Sequence, residues 1–98
     1  MATFITTLHF TEQGLKTVRD TCERAAAFKA AAEKMGVKVT GQYWTLGAFD
    51  GVIVCEAPDE VTATAALLQL GLLGNIRTQT ARAFDAPEMQ KILGLLPR

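Results

Sequence analysis

The stretch Gly41 to Ala57, GQYWTLGAFDGVIVCEA, decides the fold. It reads as two strands joined by a glycine-and-aspartate turn. The second strand, Gly51 to Ala57, is apolar on both faces for most of its length: Val52 and Val54 point one way, Ile53 and Cys55 the other, because successive side chains of a strand alternate sides. A sheet with one wet face alternates apolar and polar residues, so this strand is expected to be covered on both faces. A chain of 98 residues has little material with which to cover both, and extra burial at an interface would stabilise it. The expectation is a homodimer or a higher homo-oligomer.

Working outward, Phe4 to Phe10 opens the chain as a strand, with Phe4, Thr6, Leu8 and Phe10 on one face and Ile5, Thr7 and His9 on the other. Thr11 is placed to cap a helix. Leu15, Val18, Cys22, Ala25, Phe28, Ala32 and Met35 follow at spacings of three and four, which predicts a helical apolar stripe. Asp20 and Glu23 have capping-box spacing, so the segment reads as two helices in line with a break near residue 20, ended by Gly36. Strict alternation over residues 37–46 places Val37, Val39, Gly41, Tyr43 and Thr45 on one strand face, with Gln42 and Trp44 on the other. After Pro58, Asp59 caps a helix in which Val61, Ala65, Leu68 and Leu72 form a buried stripe, widened by Ala66, Leu67, Leu70 and Leu73. Residues 76–84 are a fourth strand. Asp85, Pro87 and Glu88 begin a short terminal helix with Met89, Ile92, Leu93 and Leu96 on one side.

The order strand, helix, strand, strand, helix, strand is the ferredoxin-like βαββαβ arrangement of the α+β class. Right-handed crossovers put both main helices on one face of a four-stranded antiparallel sheet, plus the short C-terminal helix. The other face is left bare and is the expected dimer surface. The whole of residues 1–98 forms a single domain.

Ten basic and ten acidic residues give no net charge, which argues against nucleic acid as a partner. No apolar run approaches the roughly 20 residues of a membrane helix, and Met1 to Phe4 does not begin a signal peptide. Membrane partners are therefore not expected, and a cytoplasmic location is. Cys22 and Cys55 form no Cys-x-x-Cys pair and read as two reduced thiols.

Three segments carry a resemblance: Phe10-Thr11-Glu12-Gln13-Gly14; Tyr43 to Val52 followed by Glu56-Ala57-Pro58-Asp59; and Leu73 to Thr78 continuing to Arg82-Ala83-Phe84. In order and spacing they resemble the GYD domain family. Gly47 and Asp50 match its Gly, Tyr, Asp signature, while Phe49 stands where a tyrosine is usual, so no role for that hydroxyl is expected. The resemblance implies kinship with dimeric α/β barrel proteins, in which two ferredoxin-like sheets face each other. Relatives in that group include cofactor-independent oxygenases, isomerases, haem enzymes and ligand sensors, and no catalytic residue carries over to this chain.

Among candidate side chains, His9 is the only histidine. On a face lining a cavity between subunits it would be a general base or a ligand to haem or metal; otherwise it is a strand-end residue bonded to a loop or to water. A metal site needs three or four protein ligands, so neither metal nor cofactor is expected. Arg77 and Arg82 lie on opposite faces of the fourth strand. Arg82, with Thr78 and Thr80, makes a polar line suited to a carboxylate, or to keeping an edge strand from unwanted pairing. Trp44 and Phe49 read as packing anchors, Tyr43 as an aromatic ligand contact with a polar tip, and Asp50 as a turn residue bonding nearby backbone. The leading expectation is a homo-oligomeric small-molecule-binding protein using His9, Tyr43 and Arg82 at or near the open sheet face. The alternatives are a cofactor-independent oxygenase or isomerase with His9 as catalytic base, and a structural or interaction module without ligand.

Overall fold

In the computed structural model, which describes residues 1–98, β1 (Ala2–Phe10) leads into α1 (Glu12–Lys16), a 3-10 turn over Val18–Asp20, and α2 (Thr21–Lys34). Strands β2 (Lys38–Trp44) and β3 (Gly51–Ala57), helix α3 (Glu60–Leu72), β4 (Ile76–Ala83) and α4 (Ala86–Gly94) complete the chain. The strands run antiparallel in the order β2-β3-β1-β4, so β3 is internal and the fold is the ferredoxin-like α+β arrangement. Phe4, Ile53, Cys55 and Val39 on the sheet meet Phe28 and Ala32 of α2 and Ala63, Ala66, Leu67 and Leu70 of α3 in one core. The opposite face carries Ile5, Val52, Val54 and Tyr43, with no helix over it.

Strict alternation fails in β2. Val39 pairs with Cys55 but Gly41 pairs with Val54, so Thr40 is an extra residue in the ladder. A bulge of this kind shifts the phase of everything beyond it. Val39 therefore points into the core while Gly41 and Tyr43 point to the open face, and Gln42 and Trp44 turn in toward α2. There Gln42 Nε2 donates to the Ala25 carbonyl at 2.9 Å and Trp44 Nε1 donates to Thr21 Oγ1 at 3.0 Å.

The helices depart from expectation in two places. Leu15, Val18 and Cys22 are exposed, because the 3-10 turn, with three residues per turn, breaks the phase between α1 and α2. Asp20 makes no capping bond. Arg24 ties the break instead: its Nη1 donates to the Thr17 carbonyl at 2.9 Å and to Thr17 Oγ1 at 2.8 Å, and its Nη2 to the Gly14 carbonyl at 3.2 Å. In α3 the expected Ala66, Leu67 and Leu70 are buried, together with Ala63, while Val61, Leu68 and Leu72 of the expected stripe are 80, 64 and 85% exposed. Both stripes have helical spacing, and the one with two alanines lets the helix come closer to the sheet.

The caps at Thr11, Asp59 and Asp85 form as expected, with Asp85 and Glu88 making both bonds of a capping box. No residue of α4 is buried. The radius of gyration, 15.0 Å, exceeds the roughly 13 Å of a compact chain of this length. No helix is long and apolar enough to cross a membrane.

Candidate functional site

Parts of the three segments singled out in the sequence, Phe10 to Gly14, the turn before Gly51 and the loop before Ile76, meet at one end of the sheet, where β1 stops. Glu56 to Asp59 and Arg82 to Phe84 lie at the other end, where β1 starts. The turn after β2 is tied to β1 by three bonds. Asp50 Oδ2 accepts from the Phe10 amide at 2.8 Å, the Asp50 amide donates to the Leu8 carbonyl at 2.8 Å, and His9 Nε2 donates to the Ala48 carbonyl at 2.9 Å. The aspartate thus bonds backbone 40 positions away in sequence, where a local turn bond was expected.

The loop before β4 docks on the start of α1 from the other side. The Thr11 amide donates to the Asn75 carbonyl at 3.0 Å and Thr11 Oγ1 to the Gly74 carbonyl at 2.6 Å. Gln13 Nε2 reaches both the Leu73 carbonyl and Asn75 Oδ1 at 3.0 Å. Gly14 is in the tightest place of all, since a Cβ there would lie 1.9 Å from the Asn75 carbonyl oxygen. Gly74 turns the chain with φ of 82°, a conformation that glycine adopts without steric cost.

These contacts involve Phe10, Thr11, Gln13, Gly14, Asp50 and residues 73–75 of the segments on which the resemblance rested, and the comparison with known proteins agrees. The GYD domain model matches residues 4–93. The chain belongs to the GYD domain family. A relative from Thermus thermophilus, the glutamine synthetase and cystathionine beta-lyase binding protein, is 34% identical over 90 residues, covering 91% of this chain and 95% of the relative.

Within this GYD domain the candidate polar residues do not form one cluster. His9 and Tyr43 share the open face. The His9 Nε2 bond to Ala48 fixes the ring against the turn and leaves Nδ1 as the free nitrogen, because a carbonyl can only accept. Arg77 stands beside His9 in the register. Tyr43 is 62% exposed and its ring lies over Gly41, where a Cβ would meet Cε2 at 2.8 Å.

Arg82 lies on the other face, beside Phe4. It already holds a carboxylate of its own chain: Nη2 bonds Glu88 Oε2 at 3.0 Å, and Nη1 donates to the backbone carbonyls of Thr3 and Ala83. The guanidinium sits 4.6 Å from the centre of the Phe84 ring, within cation–π range. Bonds from the Asp85 amide, and then from Arg82, hold the Glu88 carboxyl below its ordinary range. Burial pushes the Cys55 thiol up, which keeps it protonated and unreactive.

Under α2 and α3 the GYD domain encloses a cavity of about 60 Å³, lined among others by Phe10, Phe28, Trp44 and Leu70. Pockets for small organic ligands are commonly about 300–1,000 Å³, so this one is on the scale of a few waters. Sequence reading missed the exposed apolar residues of α3, which it placed in the core. Their spacing was legible, but not which way it faced.

Proposed function

We propose that this GYD domain is an interaction protein that binds a metabolic enzyme, acting as a homodimer paired through the open sheet faces. One contrast supports the reading. Asp50 and Arg82 are spent on holding the fold, and His9 is tied through one ring nitrogen, while Ile5, Tyr43, Val61, Leu68 and Leu72 stand exposed. Ile5 and Tyr43 lie on the open face and Val61, Leu68 and Leu72 on α3, two separate exposed apolar surfaces, and exposed apolar patches are a mark of proteins that bind other proteins. The relative named for binding glutamine synthetase and cystathionine beta-lyase points to enzymes as the partner class.

Titration calorimetry with purified glutamine synthetase and cystathionine beta-lyase from the same organism tests the proposal, with saturable binding to at least one expected. Silence with both enzymes overturns it. A second reading places a small organic ligand between two open faces, in contact with His9 and Tyr43, and is favoured by the free His9 Nδ1 and the exposed Tyr43 hydroxyl sharing that face. Arg82 is a contact in that reading only if Glu88 releases it. Small carboxylic or phenolic acids would then raise the melting temperature by mass action, and substitution of Tyr43 by Phe would remove the rise.

A further inference from the structure

On the side of the sheet away from the open face, a groove of about 630 Å³ runs between α3 and β4. Phe4, Leu67, Leu68 and Leu72 line it, with Thr80 and Arg82 toward the strand edge. The two crossover helices leave this strip of β4 uncovered. The same chain carries an uncovered helix: α4 has no buried residue, yet Met89, Ile92 and Leu93 fall at i, i+3 and i+4, the spacing of a face built for packing, with Leu96 just beyond the helix end.

We infer that α4 of one copy docks in the α3–β4 groove of a second copy, and that the exchange is reciprocal. Helix and groove lie close in the chain, but α4 does not fill its own groove, whose lining includes no residue beyond Arg82. Only Phe84 and Asp85 separate β4 from α4. The capping box at Asp85 and the Arg82–Glu88 pair fix the first turn of α4 in its outward course, and folding back would break both. The principal extents of 54 × 31 × 18 Å describe a body with an arm.

The groove suits a helix. An α-helix with its side chains is about 10–12 Å across, and nine residues span roughly 13 Å. A single contact of that length is small beside the roughly 1,200–2,000 Å² of stable interfaces. A reciprocal exchange makes the contact twice, and this favours a second copy over a foreign helix. Exchange of an identical element is a low-cost route to dimers, and here it uses a surface other than the open sheet face, so exchange and open-face pairing together would build an assembly larger than a dimer.

Hydrogen exchange of the α4 amides, followed against chain concentration, tests the inference. Protection of residues 89–94 should rise about tenfold from low to high micromolar chain, as mass action requires. It should be lost in Leu68→Asp, which alters only the groove, and in Leu93→Asp, which alters only the arm. Both residues are exposed in the single chain, so neither change removes a core contact. Protection that is independent of concentration would mean that α4 folds back on its own chain, and absence of protection at every concentration would mean a free arm. Either result overturns the exchange, as does protection that survives Leu68→Asp.

Discussion

At the scale of single residues, Gly14 has the least room for a side chain of any glycine, because an added Cβ would meet the Asn75 carbonyl. A methyl group there cannot be accommodated by a side-chain rotation, since the obstacle is backbone. Gly14→Ala should lower stability by about 1–3 kcal/mol, the usual cost of overpacking, seen as a lower urea midpoint with little change in slope. Asp50→Ala removes the acceptor for the Phe10 amide. A donor left without its partner costs about 1–3 kcal/mol, and loss of that order is expected in thermal unfolding. Asp50→Asn keeps an oxygen in place and should recover part of it. An effect of Asp50→Ala within error of the parent would show that water replaces the carboxylate. Both residues were visible in the sequence as members of the family pattern. Their partners were not, because each lies on a segment 40 or more positions distant.

At the scale of elements, two helix starts depend on carboxylates whose pKa values are lowered. Asp59 accepts from the Thr62 amide, and the Glu88 carboxyl is held down by the Asp85 amide and by Arg82. A group whose folded pKa is depressed stabilises the fold above its unfolded pKa, and that contribution is lost as pH falls through the folded value. The caps of α3 and α4 should therefore be intact at neutral pH and weaken below the ordinary carboxylate range. Circular dichroism should show helix loss on acidification, and α4, which has no buried residue to hold it, should go first. Glu88→Gln should reduce the acid sensitivity of α4, whose Asp85 cap remains, while leaving that of α3 unchanged. The break at residues 17–20 belongs to this scale as well. Its existence was legible from Asp20 and Glu23, but the residue that ties it is Arg24, since a guanidinium can reach several backbone and hydroxyl acceptors at once.

At the scale of the whole molecule, the open face and the exposed α3 stripe are separate surfaces on opposite sides of the sheet. Ile5 sits between Val54 and Ala81 near the middle of the open face and is exposed in the single chain. If two copies pair through this face, Ile5→Asp places two like charges in an apolar contact, and light scattering should show the mass of the assembly falling by about half, as expected when a two-fold interface is broken. An unchanged mass would exclude this face as the subunit contact. Enzyme binding measured on the same variant then separates a partner that needs the dimer from one that needs only the single chain.

The sequence by itself determined the element order, the helix starts at Thr11, Asp59 and Asp85, the internal position of β3 and the family. Each of these rests on local chemistry: periodicity, capping groups and a strand apolar on both faces. Only the tertiary structure decided the phase of β2 beyond Thr40, the buried side of α3, the partner of Asp50 and the carboxylate on Arg82. In α3 two stripes satisfied the same 3.6-residue period, and the choice fell to how closely the helix could approach the sheet. In β2 one extra residue reversed the faces of all that followed, and a bulge is set by pairing with β3. Local pattern names the element, whereas its orientation is settled by contacts between segments far apart in the chain.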